Sequence, residues 1–109
     1  MNDNTFIKLL RNNKHLLFEY LKNKNIRYTV NVDESSIRMD SIGSDNFNGL
    51  SLSLNSMVYY DFKSTEKGNV LDLLSIITNL NKYLIMFEFK CLIEKLDYEI
   101  QKIDNDDYI

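Results

Sequence analysis

Residues 59–74 read YYDFKSTEKGNVLDLL, and they join the two kinds of secondary structure expected in this chain. The stretch begins with aromatic residues, which are common in β-strands, and continues through a polar connection as far as Gly68. Asn69 can then accept a hydrogen bond from the first turn of a helix, and Asp72 places a negative charge near the positive end of that helix. The stretch therefore predicts a strand, a turn and a helix in immediate succession.

The residues upstream of this stretch alternate apolar and polar side chains, which is the period of a β-strand. A polar turn at residues 33–36 and a loop rich in turn formers at residues 43–49 divide the alternating pattern. We therefore expect an antiparallel sheet of about four strands, arranged as two hairpins. The expected strands are residues 26–32, a run through Ile37 and Met39, residues 50–54 and residues 57–62.

Helices are predicted before and after the strands in the sequence, because apolar residues in those segments recur every three or four positions. Phe6, Leu17 and Phe87 are among the side chains expected to cover one face of the sheet. The predicted fold class is therefore α+β, with an N-terminal helix and two C-terminal helices flanking a small antiparallel sheet. The predicted boundaries are residues 4–24 for the first helix, 26–62 for the two hairpins, 69–80 and 82–102 for the later helices, and 104–109 for an acidic tail.

Length and composition predict one globular domain over residues 1–109. The chain is 44% hydrophobic and 27% charged, which is close to the average for folded proteins. A chain of 109 residues has too little apolar surface for a second core. No apolar run is long enough to span a membrane, and the first residues lack the pattern of a signal peptide, so a cytoplasmic location is expected.

Charge is unevenly distributed along the chain. Residues 1–38 contain seven Lys and Arg against four Asp and Glu, whereas residues 39–109 contain six against twelve, and the formal net charge is −3. Affinity for nucleic acid comes largely from Lys and Arg that neutralise phosphates. The acidic balance therefore disfavours strong binding of nucleic acid, although a local basic patch can exist on an acidic protein.

Residues 59–74 resemble the end of the N-terminal zinc-ribbon domain of bacterial and phage DNA primases. In that family an aromatic strand carries a Cys-x-x-Cys pair, and a Gly-Asp-apolar-apolar-Asp helix start follows, which residues 68–74 match. The order of helix, two hairpins and helix also agrees over residues 20–95. The resemblance implies a zinc-ribbon-like fold and an origin in a phage or another mobile element.

The residues that hold zinc in that family are missing here, so this chain resembles a degenerate zinc finger. Asp61 and Ser64 stand at one ligand pair, and the loop 43–49, which would supply the other pair, contains neither Cys nor His. Structural zinc needs four ligands, mostly thiolate and imidazole. His15 is predicted in the first helix, and Cys91 is predicted to be a buried, inert thiol. We therefore predict no metal and no cofactor, and we expect Asp61 to face solvent or to bond to a loop.

The inventory of reactive side chains favours a non-catalytic protein. The single histidine has no evident nucleophile partner, and no glycine-rich phosphate loop is present. Most acidic residues fall at helix positions that are expected to be exposed. We therefore predict no enzymatic activity and no catalytic residues, and we expect a binding protein.

The acidic charge favours a protein partner. Small acidic proteins, including anti-CRISPR proteins, can occupy the basic channels of nucleic-acid-binding nucleases by presenting carboxylates. This interpretation predicts a protein of a phage or mobile element that inhibits or modulates a host protein, such as a defence nuclease. The residues predicted to contact this partner are Glu88, Glu94, Asp97, Glu99, Asp104, Asp106 and Asp107.

The resemblance to primases implies the alternative, an accessory protein that binds single-stranded DNA during replication and priming. Aromatic side chains can stack on bases, and basic side chains can bind phosphates. Tyr60, Lys63 and Lys67 correspond to the family's binding residues, and Arg27 and Arg38 of the first hairpin complete the predicted set. Ordinary packing of the tyrosines and solvation of the lysines is the simpler interpretation of the same residues. Because the chain has no surplus of positive charge, the sequence favours the protein partner by a small margin.

Overall fold

The computed structural model describes residues 1–44 and 46–107, with side chains described no further than Leu96. The described chain combines helices with a single antiparallel sheet, which confirms the predicted α+β class. The elements are α1 (Asp3–Asn12), α2 (Lys14–Asn23), β1 (Tyr28–Val30), β2 (Ser36–Met39), β3 (Leu50–Ser53), β4 (Val58–Asp61), β5 (Lys67–Asn69), α3 (Val70–Thr78) and α4 (Lys82–Asp107).

The described sheet has five strands in the order β1-β2-β3-β4-β5, so each strand pairs with its neighbour in sequence. The strand beyond the expected four is β5, which lies in a segment predicted to be a polar connection. Two backbone hydrogen bonds close a tight turn after β4, from Asp61 N to Glu66 O at 2.8 Å and from Thr65 N to Asp61 O at 2.8 Å. This turn reverses the chain and allows Lys67–Asn69 to pair with β4.

The single helix predicted over residues 4–24 is interrupted at Asn13. The backbone of Asn13 has φ −136° and ψ 65°, which is not helical, and its side-chain amide donates to the carbonyl of Leu9 at 3.0 Å. Asparagine side chains compete in this way with the helical hydrogen bonds of the main chain. The interruption divides the predicted helix into α1 and α2.

The start of α3 agrees with the prediction made from residues 59–74. Asn69 Oδ1 accepts a hydrogen bond from Asp72 N at 2.9 Å, and Asp72 Oδ2 accepts one from Asn69 N at 3.3 Å. This reciprocal pair satisfies two amides at the helix N-terminus. At Gly68 a Cβ atom would lie 3.1 Å from the Tyr59 ring and 3.1 Å from Asp72 Oδ2, so the close approach favours glycine.

The hydrophobic core lies between the helices and one face of the sheet. Ile37, Leu52 and Tyr59 occur in register on β2, β3 and β4, and all three are buried. Phe89 of α4 is fully buried, and its ring packs edge to face against Phe6 with centroids 5.0 Å apart. Phe87, which was predicted to cover the sheet, is instead 59% exposed. The inward position on α4 is Phe89, two residues later, because two residues make slightly more than half a helical turn and their side chains therefore point to nearly opposite sides.

The last helix is longer than predicted. The helical backbone of α4 continues to Asp107, whereas the sequence predicted a helix that ends at residue 102 and an acidic tail from residue 104. Residues 108 and 109 lie outside the described chain.

Within the described residues, no single helix has the length and apolar character needed to cross a membrane. α3 and the part of α4 up to Leu96 meet those criteria only together, as a pair bent by 98°. The apolar side chains of α3 that lie in the core are Val70, Leu71, Leu73 and Leu74.

Candidate functional site

The face of the sheet that points away from the core carries a line of side chains that crosses all five strands. Thr29 lies opposite Arg38, Arg38 opposite Ser51, Ser51 opposite Tyr60, and Tyr60 opposite Lys67. Residues directly opposite each other in antiparallel strands project to the same side of the sheet. We call these five residues the cross-strand row. Thr29, Tyr60 and Lys67 are exposed, and Arg38 and Ser51 are half-buried.

Two aromatic side chains extend the row at β4. Tyr60 is 40% exposed and Phe62 is 54% exposed, and their rings meet edge to face with centroids 5.1 Å apart. Tyr60 and Phe62 are two positions apart and therefore lie on the same side of the extended chain. An exposed aromatic pair on a polar surface is typical of a surface that contacts another molecule.

Two arginines lie on aromatic rings at this face. The guanidinium carbon of Arg38 is 4.8 Å from the Phe62 ring centroid, and that of Arg27 is 4.6 Å from the Phe47 ring centroid. Such contacts are favourable because the ring face is negative. Arg27 Nε also donates to both carboxylate oxygens of Asp40, at 2.9 and 3.0 Å. The exposed face therefore combines positive charge with flat apolar surface.

A shallow groove of about 340 Å³ lies beside Tyr60 and Phe62. Small hydroxyl side chains border it, and these leave room for a ligand while offering donors and acceptors of hydrogen bonds. The residues that line the groove are Ser51, Ser53, Ser56, Val58, Tyr59, Tyr60, Phe62 and Lys67.

The five residues predicted for nucleic-acid binding are only partly brought together. Arg38, Tyr60 and Lys67 lie in the cross-strand row. Arg27 lies next to β1, at the edge of the sheet. Lys63 lies beyond the end of β4, and its Nζ donates to Ser44 Oγ at 3.2 Å.

Sequence reasoning missed the contributions of Phe62 and Phe47 to this face. Residues two apart in a strand lie on the same face of the sheet, so the position of Phe62 relative to Tyr60 could have predicted that both lie on this face. Phe47 lies in a loop between β2 and β3, where no repeating pattern indicates which way a side chain points. Its position follows only from the folded chain.

Asp61 lies on the opposite, covered side of the sheet and is fully buried, so the expectation that it faces solvent is wrong. Its carboxylate accepts hydrogen bonds from the Ser41 hydroxyl at 2.6 Å and from the amides of Ile42, Lys63 and Ser64 at 2.8, 2.9 and 3.2 Å. Burial alone would raise the pKa of Asp61, but these four donors lower it to about 2. The loop-bonding alternative is therefore confirmed.

The predicted acidic face of α4 is only partly described. Glu88 is half-buried and accepts hydrogen bonds from Lys24 Nζ at 2.6 Å and Tyr20 Oη at 2.8 Å. Burial would raise the pKa of Glu88, but the hydrogen bonds from Lys24 and Tyr20 lower it. Glu88 therefore joins α4 to α2, while Glu94 is exposed. The side chains of Asp97, Glu99, Asp104, Asp106 and Asp107 lie outside the described residues.

The outer surface of α4 is partly apolar. Tyr83 is 82% exposed, and Leu84 and Phe87 are also exposed. Phe87 lies about one helical turn after Tyr83 and Leu84. Cys91 is exposed on the same helix, so the prediction of a buried thiol is wrong. We call Tyr83, Leu84, Phe87 and Cys91 the outer face of α4.

Among the described residues, no group of three or more His, Cys, Asp or Glu side chains is placed to hold a metal ion. His15 is exposed on α2. No protein-family model, curated protein or solved structure matches this chain. The relation to primase zinc ribbons therefore stays a prediction that rests on residues 59–74 and on the order of the elements.

Proposed function

We propose that the exposed face of the sheet binds single-stranded nucleic acid, and that the protein acts by binding, with no catalysis. The observation that carries this proposal is the cross-strand row, in which Arg38 on β2, Tyr60 on β4 and Lys67 on β5 lie in one line, with Ser51 of β3 between Arg38 and Tyr60. A basic residue therefore stands on each side of an exposed aromatic ring.

The chemistry of the row suits unpaired nucleotides. The bases of a single strand can be splayed out and stacked on aromatic rings, which contributes about 1–3 kcal/mol per base. Tyr60 and Phe62 offer such rings, and both are exposed. Arg38 and Lys67 can bind the phosphates on either side, and the serines of the groove can form hydrogen bonds to base edges.

The net charge of −3 disfavours strong binding of nucleic acid but is compatible with a local site, because salt screens the charges that lie farther away. The cross-strand row contains two basic side chains and no carboxylate. With two phosphates neutralised, log K should fall with log salt with a slope of about −1.4 for single-stranded nucleic acid. We therefore expect binding that depends moderately on salt.

A fluorescence anisotropy titration tests the proposal. The full chain is titrated against a labelled oligothymidylate of about twelve nucleotides, which is within the known range of site sizes. The measurement is repeated between about 50 and 200 mM salt. Absence of binding at the low-salt end contradicts the proposal.

Lysine variants locate the site. Lys67→Ala should weaken binding and reduce the salt slope by about 0.7, because one phosphate contact is lost. Lys63→Ala should have a much smaller effect, because Lys63 lies outside the row. Lys90→Ala, at an exposed position on α4, is the matched control for the loss of a positive charge. Equal effects of the Lys67 and Lys90 variants would show that binding is not centred on the row.

A protein partner is the second proposed function, and the outer face of α4 supports it. Exposed aromatic side chains such as Tyr83 and Phe87 are typical of the anchors of protein interfaces. The proposed partner is a nucleic-acid-binding host protein such as a defence nuclease, to which Glu94 and the acidic residues after it would present carboxylates.

Inhibition of cleavage tests the second proposal. DNA cleavage by an RNA-guided nuclease is measured with and without the protein. Inhibition that is lost in Phe87→Ala and kept in Arg38→Ala supports a protein partner bound through α4. Inhibition that is lost only in Arg38→Ala contradicts that location.

Both proposals place the protein in the cytoplasm, where nucleic acid and defence nucleases occur. The resemblance to primase zinc ribbons supports a phage or mobile-element origin for either one. For the first proposal, it also supports an accessory role in replication and priming.

A further inference from the structure

The basic and aromatic side chains of the exposed face form a series of neighbours, linked by strand pairing, ring contacts and one hydrogen bond to the main chain, that extends beyond the cross-strand row. From Lys67 on β5 the series passes through Tyr60 to Phe62 and then to Arg38, which lies on the Phe62 ring. Arg38 Nη1 donates to the carbonyl of Asn48 at 3.3 Å. The series continues to Phe47, which carries Arg27 on its ring. We call it the Arg–aromatic track; its members are Lys67, Tyr60, Phe62, Arg38, Asn48, Phe47 and Arg27.

The track contains two separate aromatic platforms. One is the Tyr60–Phe62 pair, and the other is Phe47, which is 38% exposed. An arginine lies against each platform, and it can hold the ring in place while the remaining exposed surface of the ring stays open to a base. The two platforms are linked through Arg38, which lies on Phe62 and donates to the carbonyl of Asn48, the residue after Phe47, and they provide places for two bases of the same strand.

The direction of the track is across the β-strands. Tyr60 and Lys67 are on neighbouring strands, and Arg38 is on the second strand beyond Tyr60. Neighbouring strands are about 4.8 Å apart, so the main chain at Lys67 and that at Arg38 are separated by about 14 Å. Other sheets that bind single-stranded RNA stack about two or three bases on a comparable width.

Resting on the function proposed above, we propose that a single strand of nucleic acid crosses the sheet along the Arg–aromatic track. One base stacks on the Tyr60–Phe62 pair and another stacks on Phe47, while Lys67 and Arg38 bind phosphates. The ligand class is a short unpaired segment with no fixed sequence, since every base offers a flat face. A duplex is excluded from the platforms because its bases are already stacked on each other.

The Arg27 end of the track is less basic than the Lys67 end. Asp40 forms a hydrogen-bonded ion pair with Arg27 and offsets its charge. Phosphate binding is therefore strongest near Lys67 and Arg38, and Phe47 contributes mainly through stacking. Loss of Phe47 should thus lower affinity while leaving the salt slope nearly unchanged.

A length series with aromatic variants tests this path. Labelled oligothymidylates from about two to about ten nucleotides are titrated with wild type, Phe47→Leu and Phe62→Leu, which keep apolar packing and lose the stacking surface. Phe87→Leu, at an exposed aromatic position on α4, is the matched control. Thermal unfolding of each variant verifies that it folds.

The expected result is a length-dependent loss. Phe62→Leu should weaken binding about five- to hundredfold at every length that binds, because stacking on its platform is lost. Phe47→Leu should have a comparable effect on the longer oligomers and little effect on the shortest, which occupy only one platform. Phe87→Leu should match wild type, and a hairpin duplex should bind more weakly than the single strand.

Two contrary results have different meanings. If no oligomer binds to wild type, the proposed function itself fails. If the oligomers bind and Phe47→Leu matches wild type at all lengths, the function stands and the path across the sheet is overturned. The path is likewise overturned if Phe47→Leu and Phe87→Leu reduce affinity equally.

Discussion

The carboxylate of Asp61 and the hydroxyl of Ser41 form a buried hydrogen bond of 2.6 Å that joins the end of β4 to the loop after β2. The carboxylate also accepts three backbone amides, from Ile42 in that loop and from Lys63 and Ser64 in the turn before β5. Each donor would lose this partner if the carboxylate were absent, and the Ser41 hydroxyl would lose it in the protein interior. The hydrogen bonds of Asp61 therefore link the loop after β2 to the turn before β5.

Asp61→Asn should destabilise the fold although it preserves the shape of the side chain. The amide can keep one oxygen as an acceptor, but its NH2 group would then face the amide of Ile42, so two donors would oppose each other. We expect a loss of about 1.5–3 kcal/mol in the free energy of unfolding, measured by urea denaturation. Glu94→Gln, at an exposed position, is the control for loss of a carboxylate, and equal losses in both variants would contradict this role.

Acid should reveal the same contact through the pH dependence of stability. The pKa of Asp61 is about 2 in the folded chain and near the ordinary value of 3.8 in the unfolded chain. Because the unfolded chain binds the proton more readily, the stabilisation is present above pH 3.8 and is lost as the pH falls toward 2. The difference amounts to about 2 kcal/mol.

Urea denaturation between about pH 5 and pH 2 measures this effect. Carboxyl groups whose pKa is lowered by folding lose their contribution to the free energy of unfolding in this pH range. Asp61→Asn should show a shallower decline with acid than wild type. Glu88 also has a lowered pKa, so Glu88→Gln should remove a separate part of the decline. A decline of the same steepness in Asp61→Asn and wild type would exclude Asp61 as a source of acid sensitivity.

Much of the sheet could be predicted from the sequence, because the alternation of apolar and polar residues along a strand indicates which side chains are buried. Leu50 and Leu52 alternate with serines, and in the structure the leucines are buried while the serines lie on the other face. β5 was missed because Lys67–Asn69 contains no residue with a β preference. Its strand conformation depends on the turn that brings it beside β4, which is a property of the folded backbone.

The candidate site was harder to predict than the fold. Tyr60, Lys67 and Arg38 were all selected from the sequence, yet their alignment in one row depends on the register of three strand pairs. Register is set by packing and turn geometry, which the sequence pattern does not specify by itself. The burial of Asp61 was not predicted either, because a lone carboxylate near the end of a predicted strand gives no sign that four donors converge on it.

The positions of two aromatic residues on α4 give a further test of the core. Phe89→Ala should cost about 3–5 kcal/mol of unfolding free energy, because a fully buried ring leaves a cavity beside Phe6 and Tyr20. Phe87→Ala should change it by no more than about 0.5 kcal/mol, since that ring is exposed. Chemical denaturation of both variants makes the comparison, and the reverse order of the two losses would contradict the orientation of α4.

Asp40→Asn should strengthen the binding of a single-stranded oligonucleotide. The Asp40 carboxylate lies beside Arg27 at one end of the Arg–aromatic track, where it would repel the phosphates of a bound strand. Asparagine can still accept one hydrogen bond from Arg27 but removes the negative charge. A unit charge about 7 Å from a phosphate in water contributes roughly 0.6 kcal/mol, so affinity should rise about threefold at low salt.

Glu94→Gln separates this local effect from a change in net charge. It removes one negative charge from the exposed surface of α4, away from the sheet, so the two variants have the same net charge. Anisotropy titrations should show a gain for Asp40→Asn that shrinks as salt is added, because salt screens exposed charges. A gain of equal size in Glu94→Gln would mean that the whole protein's charge sets the affinity, and the strand would then have no defined position relative to Asp40.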